Sequence, residues 1–234
     1  VPRQISHGNE ALSRGRADPQ PVWDLPVRLF HWLIAALVAF SWWSVTYNHT
    51  RWHIWSGLTI LALLIFRLLW GLVGSSTARF AKFIRGPRTI RLYLCGRWSG
   101  VGHNPLGALS VIALLLALAV QVGLGLFAQD EDGIFMGPLA HLVSSDTSDR
   151  LREIHGINFY VLLGLIVLHV AAVLFYRLRM GKHLTKPMIT GRALLDPGAQ
   201  PMQPGKSWIA LICLALALAI TGWVAAGAPP LSPP

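Results

Sequence analysis

Five apolar runs, at 27–45, 53–73, 108–127, 156–176 and 207–226, dominate this 234-residue chain. Each is close to the roughly 20 helical residues that cross a hydrocarbon core. Inside lipid a backbone must satisfy its own N–H and C=O groups, so only helices and closed barrels span a membrane. The runs are continuously apolar and do not alternate with period two, which excludes a barrel. Composition agrees, with 53% hydrophobic and 13% charged residues against about 25% charged in soluble domains. The expected fold is an all-α membrane protein: a four-helix transmembrane bundle plus an appended fifth transmembrane helix. Residues 1–22, polar and rich in Pro, Gly and Arg, read as a mobile tail. Residues 23–195 read as the core, and 196–234 as a linker (with Pro197 and Gly205), the fifth helix and a short end.

The net charge of +10 could suggest nucleic acid, but its placement is that of a topology signal. Residues 75–104 carry Arg79, Lys82, Arg85, Arg88, Arg91 and Arg97 without an acid. The stretch after the fourth run carries Arg177, Arg179, Lys182, Lys186, Arg192 and Lys206 against Asp196 alone, and the tail adds Arg3, Arg14 and Arg16. Between the third and fourth runs, in an outer loop expected over 129–153, acids prevail: Asp130, Glu131, Asp132, Asp146, Asp149 and Glu153 against Arg150 and Arg152. Basic loops face the cytoplasm, so the N-terminus is expected inside and the C-terminus outside the membrane. Residues 1–22 hold no apolar core, so the first helix is expected to act as its own insertion signal. Trp23, Trp42, Trp43, Trp52, Trp98 and Trp208 lie near expected interfaces, as an aromatic belt would. A surface helix is expected over 89–98.

Ionisable side chains inside membrane segments are costly and mark function. Of nine histidines, His7, His103 and His183 fall in inner polar segments, and His49 and His141 in outer loops. His31, His53, His155 and His169 lie at or within apolar runs. His155 and His169 share one helix fourteen residues apart, nearly four turns or about 21 Å, and so roughly one face. With the orientation set by Lys and Arg, His53 and His155 lie at the outer depth and His31 and His169 at the inner. Two imidazoles per layer suit the two axial positions of a low-spin haem iron and so electron transfer, whereas zinc wants three or four ligands together. Gly57, Gly123, Gly125 and Gly164 could let flat porphyrins approach. Arg67, buried in the second helix, either snorkels or pairs with an anion, a haem propionate being the natural one; Arg28, one turn before His31, is a second propionate candidate. Gln121 reads as an interhelical hydrogen-bond former. Cys95 and Cys213 belong to different environments, so no disulfide is expected. There is no C-x-x-C-H, so any haem is non-covalent.

Several strings around these residues are familiar: VWDLPVRLFHW at 22–32, HIWSG at 53–57, RLLWG at 67–71, and GPLAHLVS at 137–144 ahead of the His155/His169 pair. Over about residues 22–195 the chain resembles the bacterial cytochrome b561 family, which includes the b-type cytochrome subunit of nickel–iron hydrogenases. The resemblance implies a four-helix core with two b haems on residues matching His31, His53, His155 and His169. It also implies electron exchange between the membrane quinone pool and an outer redox partner, such as a c-type cytochrome or hydrogenase-like enzyme. The fifth helix departs from the minimal family pattern and could cover a quinone cleft, hold a partner subunit or support a dimer. A free-standing superoxide:quinone oxidoreductase and a haem-free anchor or transporter are the alternatives.

Overall fold

The computed structural model describes residues 18–84, 86–97, 100–130, 132–195 and 199–229. Arg3, His7, Arg14, Arg16, Arg85, Trp98, Glu131, Asp196 and Pro197 lie outside them. The chain folds into helices α1 (Leu25–Thr46), α2 (Thr50–Val73), α3 (Phe80–Phe83), α4 (Pro87–Leu94), α5 (Pro105–Phe127), α6 (Ser145–Met180), α7 (Thr185–Thr190) and α8 (Ser207–Ala225), with a 3-10 turn at Ala140–Leu142. Five of these, α1, α2, α5, α6 and α8, are long and apolar enough to cross a membrane. The expected surface helix is α4.

Local chemistry sets the helix starts. Asp24 Oδ1 accepts from Val27 N at 2.8 Å with Pro26 in the first turn of α1, and Asn104 Oδ1 accepts from Gly107 N at 2.8 Å with Pro105 opening α5. Such caps satisfy amides that the helix cannot, and each is worth about 1 kcal/mol. Ser144 caps α6, and Gly181 ends it in the left-handed conformation at φ 62°. At 36 residues α6 is about 54 Å long, longer than the hydrocarbon core is thick. It therefore begins well before the expected outer end of its span, and Asp146, Asp149 and Glu153 sit on its first turns rather than in a loop.

Two antiparallel pairs make the bundle: α1 packs on α2, and α5 on α6. α2 also touches α5, but no extensive contact joins α6 to α1 or α2. α8 packs on α2 through its small side chains, with Cys213, Ala217 and Thr221 buried along one stripe. Small residues let helix backbones approach in lipid, where packing rather than hydrophobicity drives association. Both cysteines are free.

One end of the bundle, the basic end, carries the described residues of 74–104 and 181–206, among them Arg79, Lys82, Arg88, Arg91, Arg97, Lys182, Lys186, Arg192 and Lys206. Here residues 20–22, read from sequence as part of the tail, are tied down. Gln20–Pro21 pairs antiparallel with Arg192–Ala193, and the Val22 and Trp23 amides donate to Gly191 O. Trp23 is consequently buried in a core with Val27, Phe66, Trp70 and Ala217 rather than part of an interfacial belt, whereas Trp42, Trp43, Trp52 and Trp208 are exposed as such a belt requires. Asp24 Oδ2 accepts from Trp70 Nε1 at 2.9 Å, joining the start of α1 to the last turns of α2.

At the opposite end the 128–144 segment folds back on α5. Gly137 N donates to Ala128 O at 2.8 Å and Leu139 N to Leu126 O at 2.9 Å, so carbonyls at the helix terminus are satisfied. A Cβ at Gly137 would lie 2.4 Å from the Gly125 and Leu126 carbonyl oxygens. Backbone cannot rotate aside as a side chain can. Gly137→Ala is therefore expected to cost about 1–3 kcal/mol, read as a lowered Tm in detergent; an unchanged Tm would show that this approach is not tight.

Candidate functional site

The structure brings the four histidines singled out from sequence together in twos. His53, near the start of α2, faces His155 of α6 with ring centres 6.0 Å apart, and His31 of α1 faces His169 of α6 at 6.5 Å. Metal–imidazole bonds of about 2 Å on each side, with about 1.1 Å from each nitrogen to its ring centre, place two axial rings about 6.2 Å apart. Both pairs thus have the spacing that one metal ion between two imidazoles needs. Among the described residues no group of three or more His, Cys, Asp or Glu is arranged to hold a metal.

Three of the four rings are oriented through Nδ1. His53 Nδ1 lies 3.0 Å from both Ser41 Oγ and Ser41 O, His155 Nδ1 is 2.9 Å from Gln121 O, and His169 Nδ1 is 3.3 Å from Ser110 Oγ. Donating Nδ1–H to a carbonyl puts the remaining lone pair on Nε2, the nitrogen then free to bind metal. His31 Nδ1 is buried with no hydrogen-bond partner. Gln121 also accepts from Asn158 Nδ2 at 2.7 Å, and that amide donates again to Ala117 O at 3.0 Å. Asn158 sits one turn beyond His155, so this network holds α6 against α5 at the depth of the His53/His155 pair.

Few close backbone contacts join α6 to α1 or α2, and Leu162 of α6 shares a buried cluster with Phe30, Ile60 and Leu64 midway between the two histidine pairs. A Cβ at Gly57, Gly123 or Gly164 would meet nothing within 4 Å, whereas one at Gly125 would stand 3.0 Å from His155 Cε1. A groove of about 380 Å³ is lined by Gly123, Leu124, Phe127, Val143 and Leu151, the last one turn before His155 on α6. Gly125 is thus required by the ring, and the other three glycines border open space.

Arg67 is 2% exposed; its Nη1 donates to Ala78 O at 3.3 Å and its guanidinium lies 4.9 Å from the Phe80 ring centre. Arg28 Nη2 donates to the Ile189 carbonyl, tying α1 to α7, while its Nε is buried without a partner. His49 stacks near Trp43 and Trp52, and His141 packs on Gly227 after α8.

Sequence reasoning left out His103, placed with the polar inner segments. Its ring is held edge-on to Trp23 at 4.6 Å and beside Phe83 at 4.7 Å, with Nδ1 buried and unpartnered. Burial first, and then the charge of Arg67, pushes this imidazole down to about 3, with His169 and His31 close enough to add to the effect. His103 is therefore neutral at physiological pH, at the same end of the bundle as His31 and His169. The available signal was its place immediately before the Asn104 cap of a membrane helix.

A sequence model of the prokaryotic cytochrome b561 family matches residues 22–191, most of the chain and all four paired histidines. The chain belongs to the prokaryotic cytochrome b561 family. Searches of curated proteins and of solved structures found no match. Membership makes this a multi-pass bacterial membrane protein of b-type haem electron transfer. The match ends before α8, so the fifth membrane helix lies beyond the family's shared segment.

Gly125→Val is expected to push the His155 ring out of line with His53, at a cost of about 1–3 kcal/mol, and to reduce bound b haem in the purified protein. Gly222→Ala, in open space on α8, is the control. Equal haem content in both variants would show that the ring tolerates displacement.

Proposed function

We propose that this cytochrome holds two b haems, one between His53 and His155 and one between His31 and His169, and that it carries electrons between the quinone/quinol pool and a redox partner outside the membrane. The observation that carries this reading is the meeting of two imidazole pairs, with ring centres 6.0 and 6.5 Å apart, at two levels along α6. Each haem, when bound, supplies a one-electron iron centre with both axial positions taken, which favours electron transfer over O2 binding. The protein's part is positional. Ser41, Gln121 and Ser110 hold three imidazoles by Nδ1, and Gly125 leaves room for the His155 ring. The pairs stand about 21 Å apart along α6. Arg67 is the first candidate to meet a propionate at the basic end, and Arg28 the second.

Lys and Arg placement supports a cytoplasmic basic end and a periplasmic C-terminus. The His53/His155 centre then lies on the periplasmic side, beneath Asp130, Asp132, Asp146, Asp149 and Glu153. An acidic surface favours encounter with a basic partner, such as a c-type cytochrome; a hydrogenase-like enzyme is the other partner class. α8, packed on α2 outside the two haem-binding pairs, is available to a second subunit or copy.

Reduced-minus-oxidised spectra with haem counting test the assignment. The wild type is expected to hold two b haems reducible by a quinol, His169→Ala to lose the inner one, and His155→Ala to lose the outer. Retention of both haems in His169→Ala would remove the central assignment. Rapid reduction by superoxide without quinol or partner would favour the oxidoreductase alternative.

A further inference from the structure

Buried nitrogens without a hydrogen-bond partner gather at the basic end: Arg28 Nε, His31 Nδ1, Arg79 Nε and His103 Nδ1. Arg67 adds a buried cation whose only hydrogen bond among the described residues is the one to Ala78 O. The acid that acts on it, Asp24, has both carboxylate oxygens committed, one to Val27 N and one to Trp70 Nε1. Buried cations and donors left in this state are costly, and an anion that accepts from them removes the penalty. The cluster therefore lacks an acceptor. Arg28 lies one turn before His31 on α1, and His103 is near enough to Arg67, His169 and His31 for their charges to act on it, which narrows the chemistry to a carboxylate that arrives with what those two histidines hold.

We propose that His103 is a second anchor, alongside Arg67, for a propionate of the haem held by His31 and His169. This rests on the two-haem reading above. His103 is a positioning residue and not a third ligand, since the axial pair is already complete. Trp23 and Phe83 pack against its ring, so the imidazole is held in place before the anion arrives. A neutral imidazole presents one N–H; donated to the propionate, it fixes the porphyrin's rotation in the gap and offsets part of the carboxylate's charge. Less negative charge near the iron favours the ferrous state, so His103 raises the inner centre's midpoint potential and leaves the outer centre untouched. The aromatic clamp, built on the tied-down residues 20–23, thereby makes the N-terminal segment part of the inner haem site.

Potentiometric titration of the full-length membrane protein, following both centres spectroscopically, tests this in wild type, His103→Gln and His103→Phe. Phe cannot donate and is expected to lower the inner potential by the equivalent of about tenfold in the reduction equilibrium, about 59 mV for one electron. Gln can donate and is expected to stay near wild type, while the outer potential holds in all three. Loss of the inner haem in Phe but not in Gln would also support the anchor. Equal shifts or equal haem loss in both variants, no shift in either, or a matching shift of the outer centre would overturn it. Inorganic phosphate is added to the wild type as a separate arm, and a saturable change in its inner potential would assign the site to a free anion instead. If the wild type held a single haem, or if His169→Ala spared the inner centre, the two-haem reading itself would fall, and with it this one.

Discussion

Two imidazole pairs join the two helix pairs, and each has the spacing that one metal ion between two rings needs. Between these levels the helices pack through apolar side chains, with Leu162 of α6 in one buried cluster with Phe30, Ile60 and Leu64. Gly57, Gly123 and Gly164 face open space, where an added Cβ would meet nothing within 4 Å. Helix lengths, caps and loop contacts serve to bring the rings to their levels. A haem held between the rings of a pair would add contacts to both helix pairs, so cofactor and fold are expected to stabilise one another.

The polar groups within the membrane helices follow the same logic. Ser41, Ser44, Ser110, Gln121 and Asn158 all bond within the bundle. Each lies where a histidine needs orienting or where the helices must be held in register around one. At the basic end the pattern changes, since buried donors collect without acceptors around Arg67 and His103.

Much of this was legible in the chain. The apolar runs located all five spans, because length and composition suffice when the solvent is hydrocarbon. The resemblance agreed with the family that the chain proved to join. Other features were not legible. Trp23 reads as an interfacial residue until residues 191–193 fold over it. The start of α6 reads as a loop because its first turns are charged, yet a helix projecting into water has no need of apolar residues. His103 reads as one more polar histidine until α2 brings Arg67 beside it.

The division has a physical cause. Helical rise converts residue number directly into depth, so sequence alone set which histidines share a layer: His53 with His155, and His31 with His169. It also determined that these layers lie within a membrane protein. Which way each ring turns, what orients it, and which residues from distant segments gather around it depend on the rotation and spacing of neighbouring helices. Those are properties of packing between segments, and only the tertiary structure decided them: the Nδ1 partners of three histidines, the seat of α8 on α2, and the place of His103 beside the inner pair.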